Sequence, residues 1–226
     1  MFDELTIVES ERDSFSCNID LPERNTVTKA LSLVKEFVDV PPLAITLKKE
    51  IPTGAGLGGG SSDAAGLLKH INEFAKFPLQ ERELQDIAFA VGADVPFFLL
   101  CGRAKGEGYG EKLTSLPDMP KRWLVIAKPD IECSTAEMYK KLDENTSTLQ
   151  PFNTSTLYNA FEAVAPEACI RLIEHLRESG ATPSLTGSGS AVFGYCESES
   201  QAHTIAESLS RTLAPWIRIA HTISPL

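Results

Sequence analysis

The sequence predicts an α+β fold in two domains, 1–117 and 118–226, and three observations predict it. An alternating strand pattern at Leu43 to Ile51 enters a glycine-rich loop that opens directly onto a helix. The order of elements changes after Leu116-Pro117-Asp118-Met119-Pro120, a proline-rich linker. The 226 residues are 42% hydrophobic and 23% charged, close to an ordinary globular chain with room for a sizeable core.

The elements follow in order. Leu5 to Val8 and Ser16 to Ile19 read as short strands around the polar turn Glu9 to Asp13. Asn25 and Thr26 open a helix whose apolar stripe is Ala30, Leu31, Val34, Phe37 and Val38, and Pro41-Pro42 stop it. In the next strand Leu43, Ile45 and Leu47 share one side, the pattern of a half-buried antiparallel strand. A helix from about Ser61 buries Ala64, Leu67, Leu68, Ile71, Phe74 and Ala75. A second, Gln80 to Val91, buries Leu84, Ile87, Ala88 and Val91, with Gly92 as its left-handed C-cap. Phe97 to Cys101 reads as a short apolar strand, and Gly102 to Gly110 as strand and turn. Beyond the linker, Trp123 to Ala127 opens a second α+β arrangement. Helices are expected at 134–142, 155–163, 166–178 and 199–212, and strands at 191–196 and 216–222. No internal repeat and no low-complexity tract interrupts the chain.

Composition excludes several functions. The net charge of −10 and pI near 4.9 argue against nucleic-acid binding, which needs a basic footprint. Cys17, Cys101, Cys133, Cys169 and Cys196 form no C-x-x-C pair, so neither a zinc site nor a disulfide framework is indicated, and a reducing cytoplasm is the simplest compartment. The start Met1-Phe2-Asp3-Glu4-Leu5 is no signal peptide, and no apolar run reaches the ~20 residues that span a bilayer.

The most informative segment is Pro52-Thr53-Gly54-Ala55-Gly56-Leu57-Gly58-Gly59-Gly60-Ser61-Ser62-Asp63-Ala64-Ala65. Each glycine costs roughly 0.5–1 kcal/mol relative to alanine in regular structure, so such density implies close backbone approach or positive φ. The loop delivers the chain to a helix N-terminus, where free N–H groups and the helix dipole favour phosphate. A Walker A loop is excluded because no lysine follows the last glycine. Gly54, Gly56 and Gly59 do fit the dinucleotide pattern G-x-G-x-x-G, with Glu73 near the acidic offset. The preceding strand is amphipathic, however, where a buried parallel strand would be nearly all apolar. A plain surface loop does not account for its junction with a Ser-Ser-x-Ala-Ala helix start.

Pro52 to Ala65 resembles the P-x-x-x-G-L-G-S-S-A-A signature of the GHMP kinase family. The resemblance implies a ribosomal protein S5 domain 2-like N-terminal domain, a ferredoxin-like C-terminal domain and an active site between them. It implies that Pro52, Thr53, Gly54, Ala55, Gly56, Leu57, Gly58, Gly59, Gly60, Ser61 and Ser62 wrap the phosphates of ATP, with Mg²⁺ bridging phosphate oxygens. Gly92-Ala93-Asp94-Val95-Pro96-Phe97-Phe98 is similar to the family's catalytic aspartate motif. Asp94 would take or orient the proton of the acceptor hydroxyl. Leu185 to Phe193 resembles the third family motif, which makes Gly187, Ser188 and Gly189 substrate-side residues. Asn25 looks like the family's adenine-contacting Asn, and Lys49 is placed like a nucleotide-side lysine. Gly106-Glu107-Gly108-Tyr109-Gly110-Glu111 is similar to a family segment that shapes a strand pair. Read from the residues alone, Asp94 is a turn aspartate, Gly187 to Gly189 a hairpin turn, Asn25 an N-cap and Lys49 a solvated strand lysine.

The form G-L-G-G-G-S-S-D-A-A narrows the implied acceptor to the 2-hydroxyl of 4-diphosphocytidyl-2-C-methyl-D-erythritol, in non-mevalonate isoprenoid synthesis. A homodimer and no membrane partner are further expectations. The rival expectations are another small-molecule kinase of the family, such as a homoserine or mevalonate kinase, a non-catalytic nucleotide-binding paralogue, and an NAD-binding module. The resemblance runs from about residue 3 to the terminal Ile223-Ser224-Pro225-Leu226. It lacks the family's K-[IL]-N-L strand, whose lysine assists transfer, and its G-Y-H segment, which holds the cytosine. The expectation is a natural protein longer by some tens of residues, testable by in-frame coding sequence upstream; a shortened paralogue is the alternative.

Overall fold

The computed structural model describes residues 1–76, 78–145 and 157–223. These form two compact units, one of Met1–Ile51 and Gly58–Met119, the other of Pro52–Leu57 and Pro120–Ile223.

In the first unit, strands β1 (Glu4–Glu9), β2 (Ser14–Cys17) and β3 (Leu43–Lys48) make a sheet of order β1-β3-β2. β3 is the central strand, antiparallel to β1 and parallel to β2. The parallel pair is joined through helix α1 (Thr26–Val34), as a parallel connection requires. Asn25 starts α1 by accepting from the N–H groups of Val27 and Thr28 at 3.0 and 3.1 Å, and the Thr28 hydroxyl accepts from the Asn25 N–H at 3.0 Å. α1 ends at Val34, earlier than the sequence stripe implied, and Phe37 is 62% exposed.

Helices α2 (Gly59–Phe74), α3 (Glu81–Val91) and α4 (Val95–Leu100) follow, then the hairpin β4 (Arg103–Glu107) and β5 (Lys112–Leu116). One face of β3, Ile45 and Leu47, is buried in the same core as Val27, Ala30 and Val34 of α1 and Leu67, Leu68 and Ile71 of α2. Phe74, expected in the α2 stripe, is half exposed. Leu67 is fully buried, so Leu67→Ala is expected to cost about 2–5 kcal/mol of stability, read from denaturant unfolding.

Two local expectations are overturned. Phe97 to Leu100 belong to a helix, not a strand, with Cys101 just past its end, because Pro96 pre-sets the first turn and a short apolar run carries no period of its own. Gly92 is extended, with φ −176, and is not a left-handed cap. α3 ends instead with Lys29 donating from Nζ to the Val91 carbonyl at 2.8 Å, a cation where the helix dipole is negative.

In the second unit, β6 (Trp123–Lys128), β7 (Thr182–Leu185), β8 (Val192–Cys196) and β9 (Trp216–His221) form an antiparallel sheet of order β7-β8-β6-β9. Helices α5 (Thr135–Glu144), α6 (Glu167–Glu178) and α7 (Glu199–Ser208) and a 3₁₀ turn (Ala160–Val164) accompany it. The path β6-α6-β7-β8-α7-β9 is the ferredoxin-like β-α-β-β-α-β order. Val125, Ala127, Val192 and Ile217 share a core with Leu172, Ile173, Leu176 and Ile205 of the helices. β7 escaped the sequence reading because Thr182-Pro183-Ser184-Leu185 carries a proline, tolerated at the sheet edge it occupies. The expected helix 155–163 is replaced by the 3₁₀ turn; residues 155–156 and 224–226 lie outside the described residues.

Candidate active site

The glycine loop is divided between the units, Pro52–Leu57 in the second and Gly58 onward in the first. In the first unit, Gly58 stands in the N-cap position of α2 with φ 72, and no side chain caps the helix. A Cβ there would lie 2.5 Å from the Phe98 ring, so only glycine lets α2 start against α4. The first turn holds no acidic residue. Among the other helices, Asn25, Ser134 and Ser198 accept from the opening amides of α1, α5 and α7, while α4 and α6 also start without a side-chain cap, α6 with Glu167 in its first turn. The sixteen residues of α2 therefore present uncapped N–H groups and a positive dipole end. Ser62 spends its hydroxyl on the Gly59 carbonyl at 2.8 Å, and the Thr26 hydroxyl donates to the Gly60 carbonyl at 2.7 Å. That second bond ties the start of α1, and so Asn25, to the start of α2.

Asn25 is both the expected N-cap and a committed group. Its oxygen takes two backbone donors and its amide donates to the Pro22 carbonyl at 3.1 Å. Asp94 occupies the N-cap position of α4, is exposed, and makes no side-chain capping bond. Val95 beside it is fully buried. The carboxylate thus stands on a fixed element without being consumed by it.

Lys49 is not the solvated strand lysine that the residues alone suggest. Its side chain is 5% exposed and lies between Asp3 and Asp63, at 2% and 4%. Its Nζ donates to Asp63 at 2.8 Å and to Asp3. Burial pulls the Lys49 amine down, but its two carboxylate partners prevail and hold it above its ordinary value. Burial likewise raises Asp3, and the N–H groups of Ile51 and Glu50 with Lys49 outweigh it, leaving Asp3 low. Burial dominates at Asp63, pushing it up to about 6, with the Asp3 charge adding to the rise and Lys49 opposing it.

The sign of the resulting pH effect is fixed. Between pH about 4 and 6 the folded state holds a proton on Asp63 that the unfolded state has released, so Asp63's own contribution to stability falls as pH rises. Over that window the loss is on the order of 2–3 kcal/mol, and Asp63→Asn is expected to flatten it in urea unfolding run at pH 4, 5, 6 and 7.

In the second unit the other half of the loop is sewn to the segment Thr186–Ala191. The Gly54 carbonyl accepts from the N–H groups of Ser190 at 3.2 Å and Cys133 at 3.4 Å. The Ala55 carbonyl accepts from the Ala191 N–H at 3.1 Å and the Thr186 hydroxyl at 2.7 Å. Ala55 itself packs with Ile126 and Ala191 on the sheet face away from the helices. Asn159 clamps the turn from outside, donating to the carbonyls of Leu185 at 2.9 Å and Gly187 at 2.7 Å. Sequence reasoning missed Asn159, Thr186, Asp3 and Asp63, because each acts through a partner remote in the chain.

Most of the polar groups in the turn are already bonded. The Gly189 and Ser190 amides bond to the Thr186 and Gly54 carbonyls, so neither N–H is free to bind a ligand. Ser188 is buried at 7%, and its hydroxyl pairs with that of Thr135 at 3.0 Å. No group of three or more His, Cys, Asp or Glu side chains among the described residues is arranged to hold a metal.

Residues 25–102 match the N-terminal domain of GHMP kinases. A 4-diphosphocytidyl-2-C-methyl-D-erythritol kinase of Citrifermentans bemidjiense is 40% identical over 195 residues, covering 80% of this chain and 70% of that protein. The chain belongs to the 4-diphosphocytidyl-2-C-methyl-D-erythritol kinase family of GHMP kinases. A family member from Neisseria meningitidis serogroup B is 36% identical over 90% of this chain and 73% of its own length. A solved 4-(cytidine 5'-diphospho)-2C-methyl-D-erythritol kinase superposes with a TM-score of 0.80 at 28% identity, covering 97% of this chain and 84% of that one. A homoserine kinase of Cytophaga hutchinsonii, at 17% identity and a TM-score of 0.75 over 98% of this chain and 86% of its own, shares the fold. No helix among the described residues is long and apolar enough to cross a membrane.

Proposed function

We propose that this chain transfers the γ-phosphate of ATP to the 2-hydroxyl of 4-diphosphocytidyl-2-C-methyl-D-erythritol, the reaction named for its relatives, in the non-mevalonate route to isoprenoids. The observation that carries the reading is the uncapped N-terminus of α2, reached through the glycine loop of a chain 40% identical to such a kinase. Phosphate oxygens take the place that a capping side chain fills in α1, α5 and α7.

In this reading Pro52 to Leu57 shape the outer wall of the phosphate loop, and Gly58, Gly59, Gly60 and Ser61 present the opening turn of α2 to the nucleotide. Ser62 holds the turn closed through Gly59. Asn25 keeps one amide hydrogen for the adenine side. Gly187 and Ser188 face the acceptor through their backbone, because the Ser188 hydroxyl is already bonded. Asp94 orients the attacking hydroxyl and accepts its proton.

Mg²⁺ would be carried on the nucleotide phosphates, with Ser61 as a protein donor; among the described residues no group of three or more His, Cys, Asp or Glu would hold it by itself. When bound, it neutralises charge on the phosphates. The test is a coupled ADP-release assay with MgATP and 4-diphosphocytidyl-2-C-methyl-D-erythritol, run beside Asp94→Asn and a panel of other alcohols. Turnover confined to the cytidine-linked acceptor supports the reading, and equal turnover with homoserine or mevalonate sinks it.

A further inference from the structure

Lys49 and Asp63 stand on either side of the glycine loop. Lys49 immediately follows β3, three residues before Pro52, and Asp63 immediately follows Ser62 in α2. Their side chains meet at 2.8 Å, so the two ends of the loop touch at its base. Asp3 adds a third strand to the knot. One of its carboxylate oxygens takes Lys49 and the other accepts the N–H groups of Glu50 at 2.6 Å and Ile51 at 2.8 Å, the two residues that lead into Pro52. The Lys49 backbone is held independently, its N–H donating to Asn18 at 2.6 Å and its carbonyl accepting from the Asn18 amide at 3.1 Å.

We propose that Asp3, Lys49 and Asp63 form a clasp that closes the neck of the phosphate loop, with the Lys49 side chain a positioning group that acts through α2. The inference rests on the reading of the loop as a nucleotide site. Two considerations favour geometry over charge as its purpose. A buried ion pair is a poor source of net stability, because desolvation consumes most of the attraction. With both carboxylates ionised, the cluster also carries net charge −1, so it adds no attraction for an anion. What it supplies is fixed placement. A Cβ on Gly59 would lie 2.9 Å from the Lys49 ammonium, so the amine braces the first residue of the helix whose amides face the phosphate. Closing the loop during folding means that nucleotide binding need not order it.

The described charged side chains facing Asp63 are Lys49 and Asp3, and His70 of α2 lines the same surface cavity of about 570 Å³. Asp63→Ala opens the clasp while leaving the Asp3–Lys49 pair, so the variant is expected to fold. Asp63→Asn keeps an oxygen that accepts from Lys49. Binding of a non-hydrolysable ATP analogue, measured by calorimetry at pH 7.5 with no alcohol present, separates the possibilities. The expected result is a dissociation constant about tenfold or more higher in Asp63→Ala and restored to near the wild-type value in Asp63→Asn. Urea unfolding on the same samples establishes that both remain folded. Unchanged affinity in a folded Asp63→Ala overturns the clasp alone. Absence of binding by the wild-type chain overturns the nucleotide reading beneath it. If Asp63→Ala does not fold, Lys49→Met combined with Asp63→Asn preserves net charge and leaves Asp3 on its two amides; wild-type affinity in that variant overturns the clasp equally.

Discussion

Asp94→Asn is expected to lower kcat by about 10²–10⁴ while leaving the unfolding midpoint unchanged. Both halves of that result follow from where the residue stands. Its carboxylate is exposed and makes no capping bond to α4, so the fold draws nothing from it. Asparagine is also a good N-cap, which keeps any stability change within about 0.5 kcal/mol. The amide is nearly isosteric and can still accept a hydrogen bond from the attacking hydroxyl, but it cannot take the proton. The substitution therefore tests base chemistry separately from orientation. The KM for ATP should not move, because Asp94 lies outside the glycine loop. A folded variant that retains more than about a tenth of the wild-type kcat would leave Asp94 as an orienting group only.

The fragments legible in the sequence were those with local causes. Asn25 and Thr26 announce a helix start because an N-cap is a local device, and the Asn25 side chain does accept from the opening amides of Val27 and Thr28. The glycine run announces a loop of left-handed backbone because positive φ is a single-residue property, and Gly54, Gly56 and Gly58 all adopt it. Phe97 to Cys101 failed for the opposite reason. Apolar residues without a period fit strand or helix equally, and the decision lies with Pro96. The two sets of bonds that organise the loop were invisible. Lys49 reads as one more polar residue on an alternating strand, and nothing nearby says that Asp3 and Asp63 converge on it. The bond from Thr186 to Ala55 spans most of the chain, and a Thr before a Gly-Ser-Gly turn looks like ordinary turn chemistry.

That bond also explains why the second large effect is expected at Gly56 and not at every glycine of the segment. Gly56 has φ 70, and a Cβ there would sit 2.1 Å from the Thr186 carbonyl oxygen, 2.9 Å from its carbon and 3.0 Å from the Gly189 carbonyl oxygen. All three are backbone atoms, and Thr186 is pinned by its own bonds to Gly189 and Ala191, so no side chain can swing aside. Gly56→Ala must push the loop away from the turn or leave the left-handed region, and the backbone conformation alone costs about 1–2 kcal/mol. Under the proposed function, moving this loop by an ångström is expected to lower kcat/KM for ATP by roughly 10². Gly66→Ala in the interior of α2 is the matched control. Its added methyl would meet Leu5 at an ordinary 3.7 Å, and helix propensity should raise stability by up to about 1 kcal/mol. Together the pair separates two uses of glycine in one segment. Loss of ATP turnover at Gly56 with activity kept at Gly66 would locate the demand for glycine in the contact with Thr186. Equal activity in the two variants would show that the loop and the turn can part without consequence for the nucleotide.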